Sequence, residues 1–220
     1  AATRASTCGN MQLYSLVVTR DAALRERLSP CHFNPPMVRE APCVVTVCAD
    51  VHRFSQWCEQ REAEPAYDNF AWFLNAATDA LLAAQNLCIE AELHGLGICY
   101  LGTTIYTAGE IAQVLELPKG VIPVTTIVMG YPAETPGLTD RLPLEAVVHY
   151  EKYTDYTAAE IDELWAEREE SDETKRLLEE NGLPNLARIF TERRYVRRDN
   201  LAISQSYLAL LREKGFFNND

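Results

Sequence analysis

The sequence predicts a mixed fold in which short strands alternate with helices around one core, and three observations carry that prediction. Four segments, 13–19, 43–49, 97–101 and 121–129, are rich in Val, Ile or Tyr and bounded by Pro, Gly or Asp, which is the composition of short strands. A long run over 69–93 repeats apolar residues with helical spacing. Beyond Tyr150 the chain turns strongly charged, as solvated helices do. At 220 residues it suits one domain with an elaborate periphery better than two independent ones.

Taken in order, strand 13–19 leads to Asp21, placed to cap a helix that runs through Leu28. Strand 43–49 follows. In the long helix, Phe70, Phe73, Leu74, Ala77, Leu81, Ala84, Cys88 and Ala91 fall at i, i+3, i+4 and i+7 spacing. Its other faces are apolar too, with Trp72, Ala76, Ala80, Leu82, Ala83, Leu87 and Ile89. A helix with so little surface for water belongs in the middle of a large core or at a subunit interface. Gly95 and Gly97 end it and lead into strand 97–101. Thr107 with Glu110, and Thr157 with Glu160, have the Thr-x-x-Glu spacing that satisfies exposed amide donors reciprocally at a helix start. The charged stretch 151–180 ends at the break Asn181-Gly182-Leu183-Pro184. The segment 199–214 places Leu201, Ile203, Tyr207, Leu208 and Leu211 on one face, so it needs a docking surface, on its own subunit or on a partner.

Composition excludes several classes of function. A formal charge of -12 disfavours attraction to nucleic acid or to an anionic membrane, since both are densely negative. No apolar run reaches bilayer-spanning length, and the opening AATRASTCGN lacks a cationic-then-apolar signal pattern, so a cytoplasmic address is expected. Seven cysteines (Cys8, Cys31, Cys43, Cys48, Cys58, Cys88, Cys99) without a CxxC argue against a disulfide framework or a zinc ribbon. Cys43, Cys48, Cys88 and Cys99 lie in apolar stretches and read as small core fillers. Four scattered histidines, His32, His52, His94 and His149, lack metal-binding spacing, and no metal is expected.

The residues with chemical potential are few: a small polar run Ser6-Thr7-Cys8-Gly9-Asn10, a glycine-bracketed strand from Gly95 to Thr104, and Arg141 beside Asp140. No catalytic dyad is evident, the glycines do not spell GxGxxG, and nothing matches a P-loop. Taken alone, glycines at strand ends mark turns.

Their order and context resemble the flavin-dependent nitroreductase family, in its branch of NADPH flavin reductases and oxygen-insensitive nitroreductases. Four stretches carry the resemblance: Arg4-Ala5-Ser6-Thr7-Cys8-Gly9-Asn10-Met11-Gln12; Ala41-Pro42-Cys43-Val44-Val45 to Cys48-Ala49-Asp50; Ala84-Gln85-Asn86 through Gly95-Leu96-Gly97 to Tyr100-Leu101-Gly102; and Leu117-Pro118, Pro123, Gly130-Tyr131-Pro132 and Arg141-Leu142-Pro143. The resemblance implies an α+β, nitroreductase-like three-layer sandwich: a central mixed, mainly antiparallel sheet flanked by helices, in a homodimer. Residues 1–150 would form the flavin-binding core. Residues 151–220 would form a helical extension that wraps the partner subunit. On this reading the apolar helix becomes the dimer core.

Carried over by position, Ser6, Thr7, Cys8, Gly9 and Asn10 would approach the FMN ring and ribityl chain, and Tyr100, Leu101, Gly102 and Thr103 would line the other side through backbone groups. Short side chains suit that task, because backbone amides reach the edges of a flat ring only where little stands in the way. Arg141, with Asp140 and Thr139 beside it, would meet the FMN phosphate, to which guanidinium offers a planar fork. Three departures stand out. Family members usually open with an Arg-Ser-x-Arg segment that grips the phosphate, and that segment is expected to be missing here. Thr139 stands where many relatives have lysine, and Pro35 where a glutamine often bonds the reactive edge of the ring.

The implied activity is ping-pong hydride transfer from NADPH or NADH through FMN to nitroaromatics, quinones or free flavins, with no catalytic side chain. The cationic run containing Arg193 and Arg194 is a candidate for the extra phosphate of NADPH, against the alternative that it pairs with acidic helices or a partner. Two other readings are a flavin-binding or sequestering protein of the same fold without turnover, and an acidic interaction module built on 151–180.

Overall fold

The computed structural model describes residues 1–218. They fall into two compact units: Ala1–Ala133 with the chain from Ala202 onward, and Glu134–Leu201.

The first unit is built on four strands, β1 (Tyr14–Thr19), β2 (Cys43–Asp50), β3 (Gly97–Leu101) and β4 (Val121–Gly130), ordered β1-β2-β4-β3. All three pairings are antiparallel, so the expected sheet is present and antiparallel throughout its described strands. The order follows from burial: β2 and β4 are almost wholly buried and sit centrally, whereas β1, with Val18 turned to solvent, is an edge. Pro123 lies in a central strand, where a missing N–H would break the ladder. The sheet accommodates it by a bulge, the register passing from Val47 opposite Thr125 to Cys48 opposite Pro123 and leaving Val124 unpaired.

Helices cover both faces. On one, Val45, Val47 and Ile127 pack against Ala80, Ala83, Ala84 and Cys88 of α4 (Phe70–Leu93). On the other, Val44 and Val128 meet Leu28 of α1 (Ala22–Leu28), Val38 of α2 (Pro36–Glu40) and Ile111 of α5 (Ala108–Val114). This is the three-layer arrangement. Each fully buried Val or Ile contributes roughly 1.5–3 kcal/mol.

The starts of these helices test the capping expectations. Asp21 accepts from the Leu24 amide at 2.8 Å and Asn69 from the Trp72 amide at 3.3 Å, so α1 and α4 begin where the sequence places them. Thr107 is a correction: it precedes α5 but makes no capping bond. Its hydroxyl instead donates to the Cys31 carbonyl, and a tertiary partner wins over the local one. α4 also departs from expectation. Its buried stripe is Phe73, Ala76, Ala80, Ala83, Ala84 and Cys88, while Leu74, Leu81, Leu82 and Ile89 are exposed in the single chain. Apart from Phe73 the buried stripe is made of small side chains, which let the helix lie close on the sheet.

From Ala202 onward, α9 (Arg197–Glu213) docks on this unit: Leu210, Leu211 and the following Phe216 are buried against Phe73, and the Tyr207 hydroxyl donates to the Pro123 carbonyl at 3.1 Å. The docking surface left open by the sequence is thus on the same chain for this part of the helix. The seven cysteines are free; Cys48 and Cys88 are buried as expected, whereas Cys43 and Cys99 are only half-buried. His52–Glu59 forms a further helix, α3.

In the second unit, α6 (Ala158–Glu170) starts with the predicted reciprocal cap of Thr157 and Glu160, and α7 (Asp172–Asn181) ends at Gly182 in the left-handed region, φ 62°. α8 (Leu186–Ile189) runs into a π-helical turn, Phe190–Arg194. Arg168 lies against the rings of Trp165 and Phe190, 5.8 and 5.7 Å from their centroids. No described helix is long and apolar enough to cross a membrane.

Candidate functional site

Ser6, Thr7, Cys8, Gly9 and Asn10 form a turn between the N-terminus and β1. Thr7 is extended (φ −135°, ψ 150°) and Cys8–Asn10 makes one 3-10 turn. Gly9, Asn10 and Gln12 all have φ between 53° and 56°, a left-handed region that suits glycine and tolerates asparagine. What holds this conformation is Asp79 of α4, only 2% exposed: one carboxylate oxygen accepts from the Cys8 amide at 2.9 Å, the other from the Leu13 amide at 3.1 Å. Arg53 grips the same segment from another side, donating to the carbonyls of Tyr14 (3.3 Å) and Gln12. Sequence reasoning missed Asp79. The signal was there, since it is the only charged residue between Phe70 and Ile89, and a charge in an apolar helix needs buried partners.

The second group sits at the end of β3. Tyr100 is partly exposed and its hydroxyl donates to Gln85 Oε1 of α4 at 3.4 Å. Burial, together with a hydrogen bond to the Cys88 thiol, pushes the phenol's pKa above its ordinary value. Leu101 is buried, and its carbonyl accepts from the Thr104 hydroxyl at 2.8 Å. Gly102 opens the 3-10 turn Gly102–Ile105, with open space where a side chain would stand. Thr103 in that turn bonds His32 Nδ1 at 2.8 Å. His32 is 2% exposed, and burial lowers its pKa to about 4, so the ring is neutral near pH 7. This contact brings the 30–35 loop, with Pro35, to the Gly102 turn. Pro35 offers no donor; next to it, Asn34 accepts from Arg39 Nη2 at 2.7 Å through its side-chain oxygen, which leaves its NH2 group free to donate.

Both groups therefore hang on one helix: Asp79 carries the first and Gln85, roughly 9 Å further along the axis, the second. Thr139, Asp140 and Arg141 belong to the second unit. There Arg141 Nη1 donates to Thr139 Oγ1 at 2.6 Å and to the Asp140 carbonyl at 2.8 Å, while Asp140 pairs with Arg168 at 3.6 Å. Arg141, Arg168 and Arg194 line one cavity of about 510 Å³, together with the carboxylates of Glu163 and Glu167. Arg193 is exposed and does not line it.

Each unit by itself holds donors that fit a part of FMN, the ring and ribityl chain in the first and the phosphate in the second. Among the described residues nothing engages the side chains of Ser6, Thr7 or Asn10, and the space where a side chain on Gly102 would stand is open. In the second unit, Arg141 keeps Nε and Nη2 unspent for a phosphate. No group of three or more His, Cys, Asp and Glu among the described residues is arranged to hold a metal ion.

Comparison with known proteins shows the family. Residues 1–131 match the model of the Nitroreductase family. An FMN reductase (NADPH) of Bacillus subtilis is 35% identical over 155 residues, and an oxygen-insensitive NADPH nitroreductase of Salmonella typhimurium 33% identical over 153; each match takes in 70% of this chain and 62% of the relative's length. A crystallised protein of Bacteroides fragilis superposes with TM-score 0.97 at 52% identity, over 99% of this chain and 88% of its own. The NfrA1 nitroreductase of B. subtilis superposes with TM-score 0.78 at 29% identity, over 99% and 87%. The chain belongs to the nitroreductase family.

Proposed function

We propose that the chain is an FMN-dependent NAD(P)H oxidoreductase that reduces nitroaromatics, quinones or free flavins in two half-reactions at one site. The observation that carries this reading is the hanging of both family-matched groups, 6–10 and 100–103, on α4, with Ser6, Cys8, Gly9, Asn10 and Gly102 exposed.

When bound, FMN supplies the two-electron relay between the nicotinamide and the acceptor. Ser6, Thr7, Cys8, Gly9 and Asn10 hold one edge of the ring and the ribityl chain. Tyr100, Leu101, Gly102 and Thr103 hold the other, largely through backbone. Pro35 lies at the reactive edge, where the free amide of Asn34 takes the donor's part. Arg141, with Thr139 and Asp140, meets the phosphate. Arg194, and beside it Arg193, receives the additional phosphate of NADPH. Positioning and hydrogen bonding are the protein's whole contribution; no side chain acts as nucleophile or general acid. The exposed Leu74, Leu81, Leu82 and Ile89 of α4 form the core of a homodimer interface, and the extension 151–220, which from Ala202 onward docks on its own subunit, wraps the partner with its preceding helices. The acidic chain works in the cytoplasm on small molecules, without nucleic acid, membrane or metal.

The test is NAD(P)H consumption by the purified protein with added FMN and a nitroaromatic or quinone acceptor. FMN-dependent turnover is expected. A protein that binds FMN and shows no turnover favours the sequestering reading, which rests on Pro35 and Thr139, positions that lack a donor and a charge respectively.

A further inference from the structure

Asp79 is unlike the rest of α4. It is 2% exposed on a helix whose other buried members are apolar, Phe73, Ala76, Ala80, Ala83, Ala84, Cys88 and Ala91. Burying a carboxylate is costly unless hydrogen bonds replace its water. Here the replacements are two backbone amides, Cys8 at 2.9 Å and Leu13 at 3.1 Å, at the two ends of a single turn. Between them lie Gly9, Asn10 and Gln12, all with positive φ. Gln12 is the costly member, because there the Cβ of an L residue crowds the following carbonyl oxygen. A turn so strained persists only where its surroundings over-determine it. A buried helix can be completed with alanine at such a position; a carboxylate accepting from both ends of a strained turn is a device for fixing that turn.

We propose that Asp79 is a positioning residue of the cofactor site: its carboxylate clamps residues 8–13 so that the backbone and short side chains of 6–10 stand ready to receive the flavin. This rests on the functional reading above. Arg53 cannot substitute for it, since it donates to the carbonyls of Gln12 and Tyr14 and leaves the amides of Cys8 and Leu13 to Asp79. The acceptor must also be a carboxylate. An asparagine there would turn an NH2 toward one of the two amides and set donor against donor.

The experiment is FMN titration of the full chain, followed by flavin fluorescence and visible absorption, in the wild type, Asp79→Asn, Cys8→Ala and Cys8→Pro. Proline at position 8 removes only the clamped N–H from the backbone: the site is the first residue of a 3-10 turn and follows an extended residue, both compatible with proline. Asp79→Asn is expected to weaken FMN binding by about tenfold or more, and Cys8→Pro by about tenfold more than Cys8→Ala, as losing a hydrogen bond to a charged group implies. At saturating FMN, both Asp79→Asn and Cys8→Pro should shift the flavin's visible band toward that of free FMN. A loss of global stability alone would leave that band unchanged. If Asp79→Asn does not fold, the two Cys8 variants still decide. A wild type that binds FMN, with a folded Cys8→Pro binding it as Cys8→Ala does, overturns the clamp and leaves the functional reading standing. A folded wild type that binds no FMN overturns both.

Discussion

The turns at 8–13 and 139–141 are assigned to the same cofactor, yet they are held in different ways. The first is fixed by a buried carboxylate 71 and 66 residues away in sequence. The second is held by Arg141 bonding to residues one and two positions before it, and by an Asp140–Arg168 pair whose side chains are 55% and 41% exposed. Long-range buried bonds tie a turn to the stability of the whole core, whereas local exposed ones yield at little cost. The difference teaches that the turn in the first unit is set by folding, whereas the turn in the second is free to adjust.

The largest effect that would sharpen this contrast is in the core beneath the first turn. Ile127→Ala, at a residue wholly buried between β4 and α4, should lower the unfolding free energy by roughly 2–5 kcal/mol, read from the urea midpoint. A loss below that range would mean α4 is not seated tightly enough to serve as an anchor. Next comes pH. His32 has a folded pKa near 4 against an ordinary 6.5, so the unfolded chain binds the extra proton between those values. Its contribution is therefore complete above about pH 6.5 and declines as the pH falls toward 4. His32→Gln should flatten that part of the stability profile, and an unchanged slope would remove His32 from the account.

In the second unit, replacing Arg193 and Arg194 by alanine should raise KM for NADPH by about tenfold and leave KM for NADH nearly unmoved, the size expected of a lost guanidinium–phosphate contact. Arg194→Ala alone should account for most of it, since that side chain lines the cavity; equal effects on both dinucleotides would break the assignment. Thr157→Ala removes a reciprocal cap and should cost about 1 kcal/mol, seen as faster amide exchange in the first turn of α6. Smallest of all, Arg188→Ala loses an exposed pair to Glu192 at 2.8 Å and should change stability by less than about 0.5 kcal/mol, vanishing in salt. A larger value would show that surface pairs hold this unit more firmly than the contrast allows.

Much of the scaffold was legible in the sequence for local reasons. β3 matches its expected bounds, and the caps Asp21 and Thr157 mark helix starts because each side chain bonds an amide three residues on. What escaped depends on partners distant in sequence. Thr107 has the spacing of a cap, but its hydroxyl is claimed by the Cys31 carbonyl. α3 carries Phe54 and Trp57 without a clean stripe, and Phe54 packs its ring against both Trp57 and the distant Tyr67. The periodicity of α4 was plain, yet its buried side could not be chosen when every face was apolar; side-chain size decided it. At the site, the short residues 6–10 and the strand ending at Thr103 were visible as family pattern. The partners of Asp79 and His32, which hold those two pieces, were not: Asp79 stands out as a lone charge in an apolar helix, but the amides it meets, and the hydroxyl that His32 meets, are 66 to 71 residues away.

Residue-resolved amide exchange of the full chain, before and after adding FMN, tests the central claim most directly. The account predicts that the Cys8 and Leu13 amides are already protected without FMN and change little on its addition, while the amides at 140 and 141 gain protection. Free exchange at Cys8 and Leu13 in the cofactor-free protein, or no response at 140 and 141 to saturating FMN, would contradict it.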